Sequence, residues 1–250
     1  MKSAQELNAL AVFTRKLWNE DNYSPIDIFA IVNGWKEKNI TVVKYPMSNR
    51  ISGMCTKEGT DIIIGINSKM SYGRQRFTLA HELYHVLYEP HVTRTVCDMT
   101  MGTEKTESER EADQFAGYLL MPYDALYEYA TKVSDWTLNT IIDAEQFFQV
   151  SHQAMLYRLV SDNLLDSKTM NQYKDIKVST VAARLGYGNE LYLPAKDNKQ
   201  YFTTGAYIRK VETLFDNELI SNGKREELLM DAYRADIVYD FDEEAAELND

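Results

Sequence analysis

The sequence has only four histidines, two cysteines, five prolines and eleven glycines in 250 residues. Two cysteines, Cys55 and Cys97, with no C-x-x-C pair, cannot form a disulfide framework. They read as reduced thiols of a cytoplasmic protein. The low proline and glycine content excludes collagen-like and low-complexity chains. No apolar run approaches the ~20 residues of a membrane helix. The start, M-K-S-A-Q-E-L-N, lacks the continuous apolar stretch and small-residue cleavage site of a secretory signal. Bases are missing from the end: Asp236–Asp250 holds seven acids and none. The net charge is −11, so the body carries −4 and the tail the rest. Such a balance does not favour nucleic acid or an anionic membrane as partner, and the tail is expected to be a solvated terminus.

What is present suffices for a packed core, with 44% hydrophobic residues. Apolar spacing predicts a helix over Ala4–Asn19. Ser24-Pro25 reads as a cap opening a second helix that ends near Asn33-Gly34. Ile40–Tyr45, Ile51–Thr56 and Asp61–Asn67 read as strands of a small antiparallel three-stranded sheet. Arg76–Glu89 carries a wide apolar stripe and predicts a buried helix. Pro90–Thr106 reads as a loosely ordered connection. Helices follow at Glu107–Leu120 and from Tyr123 to about Lys132. Ile141–Leu165 reads as helix, turn, helix. Beyond it lie a short helix at Val178–Leu185, a hairpin over Glu190–Tyr201, and helices at Tyr207–Leu219 and Lys224–Val238. The fold class is α+β and mainly helical. The expected division is residues 1–165, carrying the chemistry, and 166–250, a mostly helical C-terminal appendage that docks on the first part or on a partner.

Residues 81–85 read H-E-L-Y-H, which holds half of the chain's histidines. Treating all 38 acids as Glu, chance supplies about 0.01 such matches in this composition. On a helix, His81 and His85 project from one face one turn apart and can hold one Zn²⁺. Glu82, beside them, can take a proton from a metal-bound water. A catalytic zinc needs a third protein ligand. The helix at 107–120 offers Glu109 and Asp113, i and i+4 on a polar face next to the apolar face of Ala112, Phe115 and Leu119. One would bind metal and the other would accept the free N–H of a ligand histidine. Glu107 and Glu111 are rivals, Glu107 at a fraying start and Glu111 facing away by about 200°.

The run R-F-T-L-A-H-E-L-Y-H (Arg76–His85), followed by E-R-E-A-D-Q-F-A-G-Y-L-L-M-P (Glu109–Pro122), resembles the ImmA/IrrE family of bacterial zinc metallopeptidases. I-S-G at 51–53, I-G-I-N at 64–67 and V-S-H-Q-A-M-L-Y-R-L at 150–159 extend the likeness over roughly Ser24–Leu165. The resemblance implies that Glu109 is the third zinc ligand beside His81 and His85, and that Glu82 is the catalytic residue. Tyr84 stands where glycine is more usual and should narrow the site. The resemblance further implies a cytoplasmic protease that cleaves, or otherwise inactivates, a helix-turn-helix repressor, relieving repression of a mobile element or stress response.

A donor to the developing oxyanion is also expected. Arg158, Tyr84 and His152 are candidates, against a structural salt bridge for Arg158 and a surface position for His152. Asp61–Asn67, just before the active-site helix, would offer a strand edge to an extended substrate. Two other functions compete. One is a binding or toxin partner of a helix-turn-helix regulator, with an idle metal site. The other is a DNA-binding regulator using Ile141–Leu165, where Asp143, Glu145 and Asp162 outnumber Arg158 and make a poor electrostatic footprint.

Overall fold

A computed structural model describes residues 1–98, 106–196 and 199–239. The chain opens with α1 (Ala4–Leu17), started by a capping box in which Ser3 and Glu6 satisfy each other's backbone N–H. Helix α2 (Ile28–Gly34) is capped by Asp27, which accepts from the N–H of Ala30. Ser24 is not the cap: its hydroxyl donates to Asp21, and its carbonyl is taken by the buried Arg15 guanidinium. Then come β1 (Asn39–Tyr45), β2 (Ile51–Glu58), β3 (Asp61–Asn67), α3 (Tyr72–Tyr88), β4 (Arg94–Asp98) and α4 (Glu107–Leu120). Helices α5 (Tyr123–Ala130), α6 (Leu138–Phe148), α7 (His152–Ser161), α8 (Ser167–Tyr173) and α9 (Val178–Arg184) precede β5 (Phe202–Gly205) and α10 (Ala206–Asp216). The described chain ends with α11 (Asn222–Asp231) and α12 (Ala235–Tyr239).

The α+β class holds, but the sheet is larger than expected and is mixed. Five strands run in the order β4-β2-β3-β1-β5. β1 and β3 are parallel, and the other pairings are antiparallel. β3 therefore lies inside the sheet and offers no edge to a substrate. The edges are β4 and β5. Both were missed because they are short and half polar: R-T-V-C-D has no apolar run, and F-T-T-G ends on a glycine. β5 belongs to the 166–250 segment, which is thus joined to the N-terminal part by a strand pairing as well as by α10 against β1.

Two other expectations are corrected. No hairpin forms over 190–201: Glu190–Tyr192 is a 3₁₀ turn, and Phe202–Gly205 pairs with β1 instead. Residues 197–198 of the supposed turn lie outside the described residues. The last helix breaks into α11 and α12 where Tyr233 adopts φ +59°. Between α7 and α9 lies α8, capped by Asp166. The acidic tail from residue 240 lies outside the described residues.

Helix α3 is the centre of the molecule. Leu79, Ala80 and Leu83 are fully buried, as are Ile64 and Ile66 of the sheet and Phe115, Ala116 and Leu119 of α4. Burial of each large side chain contributes about 1.5–3 kcal/mol. Close approach of sheet to helix needs Gly53: a Cβ there would stand 2.4 Å from Thr78 Cγ2 and 3.3 Å from Glu82 Oε1. At the other end, a Cβ on Gly73 would stand 2.7 Å from the Ser151 nitrogen. The turn between α6 and α7 is thus packed onto α3. No described helix is long and apolar enough to cross a membrane.

Candidate metal centre

Buried on α3, His81 and His85 face one another with 3.2 Å between their Nε2 atoms. From α4, Glu109 reaches both: its Oε2 is 3.2 Å from His81 Nε2, and its Oε1 is 3.5 Å from His85 Nε2. Each ring is oriented from behind. His81 Nδ1 donates to Asp113 Oδ1 at 2.9 Å, and His85 Nδ1 donates to Glu89 Oε2 at 2.7 Å. Lys57 Nζ holds the end of α3 through the carbonyls of His85 and Glu89, at 2.8 and 2.7 Å. Both Nε2 atoms are thereby left to a common point. A fourth donor, Cys97 on β4, joins them: ligand atoms of His81, His85, Cys97 and Glu109 all lie within 4.8 Å of one another.

The charges of the metal-free cluster fit a cation. Burial disfavours a charged His81, but hydrogen bonds to Asp113, Cys97 and Glu109 outweigh it and hold its pKa well above the ordinary histidine value. Burial likewise opposes charge on His85, and Glu109 and Glu89 raise it. Glu109 resists burial because both imidazoles hold it well below the usual carboxylate range. Burial pushes the Cys97 thiol up to about 12. Protons thus gather where a divalent ion would displace them. Two imidazoles, a carboxylate and a thiol form a donor set suited to zinc.

Glu82 is fully buried one residue from His81. Its Oε2 accepts from Thr95 Oγ1 at 2.8 Å, and its Oε1 has no hydrogen-bond partner among the described residues.

The stretch of sequence that carries these residues matches a known family. The profile of a peptidase family, described as the IrrE N-terminal-like domain, covers residues 36–160, half of the chain. The chain belongs to this family. A comparison with curated proteins finds no match. The matched span of this IrrE-like peptidase domain runs from just before β1 to α7 and contains all four donors and Glu82.

The other sequence candidates lie elsewhere in the IrrE-like domain. Glu107 is exposed at the start of α4. Glu111 faces away from the metal point, as its helical phase requires, yet it is buried rather than solvated. It accepts from Lys2 Nζ at 2.7 Å and from the Tyr84 hydroxyl. Tyr84, fully buried against Phe115 and Tyr88, spends its hydroxyl on that contact. Arg158 pairs with Asp162 at 2.9 Å and lies over the Tyr118 ring. Its neighbour Gly117 is eight residues along α4 from Glu109, about 12 Å of helix rise. His152 is buried, not on the surface, and is bound to Glu145 and to the Tyr173 carbonyl.

Sequence reading missed three residues of the centre. Glu89 follows His85 by four residues, and that spacing was signal enough. Thr95 and Cys97 sit in a segment read as a loosely ordered connection, and no pattern in the sequence marks them.

Proposed function

We propose that this family member is a zinc-dependent endopeptidase acting on a regulatory protein in the cytoplasm, a helix-turn-helix repressor, to relieve repression. The observation that carries the reading is the pair of histidines whose Nδ1 atoms are fixed by Asp113 and Glu89 while both Nε2 atoms turn to Glu109. A histidine with one nitrogen held by a carboxylate and the other turned to a point shared with further donors is the arrangement of a metal ligand. In this reading His81, His85 and Glu109 hold zinc, which when bound supplies Lewis acidity to the scissile carbonyl and to the attacking water.

The protein's own residues do the rest. Glu82 Oε1, buried and without a partner among the described residues, is the atom that accepts the water proton and returns it to the leaving amine. Asp113 and Glu89 take the Nδ1 protons, so that each Nε2 would be the atom offered to a bound ion. Incubation of the zinc-loaded protein with its candidate repressor tests the reading. The expected result is a discrete cleavage product that is lost with Glu82→Gln. An intact repressor in the presence of a loaded metal site overturns the peptidase reading.

A further inference from the structure

We infer that Cys97 is a fourth metal ligand, and that β4 acts as a removable stopper that keeps the centre latent. This rests on the reading of His81, His85 and Glu109 as the metal site.

Strand β4 presents alternate residues to the two faces of the sheet. Val96 is exposed, whereas Cys97 is buried at 4% exposure. Thr95 and Cys97 share the inward face and engage the two working parts of the centre. The Thr95 hydroxyl donates to Glu82 Oε2 at 2.8 Å. The Cys97 sulfur lies within 4.8 Å of donor atoms of His81, His85 and Glu109. Room for it comes from β2, where Cys97 stands opposite Gly53, a residue without a side chain.

The chemistry follows from the donor count. Zinc takes thiolate sulfur readily, and four protein donors make a closed tetrahedral site, whereas a catalytic site keeps one position open. When the ion binds, the thiol gives its proton to solvent, and the sulfur takes the position that chemistry needs. Opening reverses this: the sulfur leaves the metal, regains a proton from solvent, and Glu82 loses its Thr95 contact in the same movement. β4 is suited to leaving. Among the described residues it is an edge strand paired with β2 alone, and its register is broken by an irregularity between Ile51 and Gly53. Detaching it breaks one ladder and leaves the other four strands paired.

Cobalt(II) loading of the full chain tests this without any substrate. The wild type is expected to bind one cobalt ion and to show visible d–d bands together with a near-ultraviolet sulfur-to-cobalt charge-transfer band. Cys97→Ala should lose the charge-transfer band and keep the d–d bands. Cys97→Ser repeats the measurement if the alanine variant folds poorly, and Cys55→Ala should retain both features. Acetohydroxamate, added as a probe for an open position, should shift the d–d bands of Cys97→Ala at concentrations that leave the wild type unchanged. A wild-type spectrum with d–d bands and no sulfur band overturns Cys97 ligation while leaving the His-His-Glu site intact. A sulfur band that survives Cys97→Ala overturns it too. Equal response of wild type and variant to acetohydroxamate overturns the stopper. Failure of the wild type to bind cobalt overturns both this inference and the reading beneath it.

Discussion

Among the described residues, two buried histidine–glutamate clusters stand in this fold, and one of the two has donors left for a metal. Between α6 and α7, His152 Nδ1 donates to Glu145 Oε1 at 2.5 Å, and its Nε2 meets the Tyr173 carbonyl at 3.1 Å. The Tyr192 hydroxyl takes Glu145 Oε2 at 2.9 Å. Both ring nitrogens and both carboxylate oxygens are used, so the cluster is closed. Between α3 and α4, the Nδ1 atoms are satisfied in the same way, but the Nε2 atoms converge on Glu109 and Cys97. Burial and a carboxylate partner are common to both. What separates a metal centre from a structural pair is whether the second nitrogen has been spent.

The sharpest way to break this comparison is to remove one histidine from each cluster. His81→Ala or His85→Ala should abolish stoichiometric zinc binding, measured by metal analysis after dialysis. His152→Ala should keep the zinc. It leaves Glu145, which burial already holds above its usual pKa, without its cation, and the expected cost is about 3–5 kcal/mol of stability by denaturant unfolding. Zinc lost from His152→Ala while the fold persists would make the two clusters one site. Glu82→Gln comes next: zinc should stay, and cleavage should fall by about 10²–10⁴-fold.

A smaller effect tests the orienting carboxylates. Asp113→Ala and Glu89→Ala should each weaken metal affinity by about 10–100-fold, read by competition with a chelator. Equal affinity in the Asp113 variant would make its 2.9 Å contact incidental to binding. Affinity should also fall as pH is lowered. Both imidazoles are held above their ordinary pKa, so protons compete with the ion from a higher pH than for a free histidine.

The helices of the centre were legible in the sequence for a physical reason. Five residues of α3 carry H-E-L-Y-H at helical spacing, and fourteen of α4 carry Glu109 and Asp113 beside a continuous apolar face. Local periodicity encodes such elements. β4 was not legible, because its reason for being a strand lies far back along the chain in β2, where Cys97 meets Gly53. With it went Cys97 and Thr95. β3 was read as an edge because its parallel pairing with β1 is a fact of topology that no local pattern contains. Tyr84 shows a subtler gap. The sequence marked it as bulk beside the metal, whereas its contact with Glu111 and Lys2 turns its hydroxyl into a tie between α3 and α4.

That tie gives the smallest expected effect, and it separates structural acid from metal-binding acid on a single helix. Glu111 lies two residues from Glu109, and its carboxylate is 7% exposed. Burial would raise its pKa, but hydrogen bonds from Lys2 and Tyr84 prevail and hold it down at about 2. A carboxylate whose folded pKa is depressed stabilises the fold above its unfolded pKa of about 4.5, and that contribution is lost as pH falls through about 2. Lys2 is 41% exposed, so solvent screens the pair, and Glu111→Gln should cost about 1 kcal/mol near neutrality. The variant should also flatten the dependence of stability on pH between about 4.5 and 2, in denaturant titrations of the metal-free protein. Zinc affinity should not change. A matching loss of zinc affinity would show that Glu111 positions Glu109 through α4, and the helix would then carry one coupled set of acids rather than two independent ones.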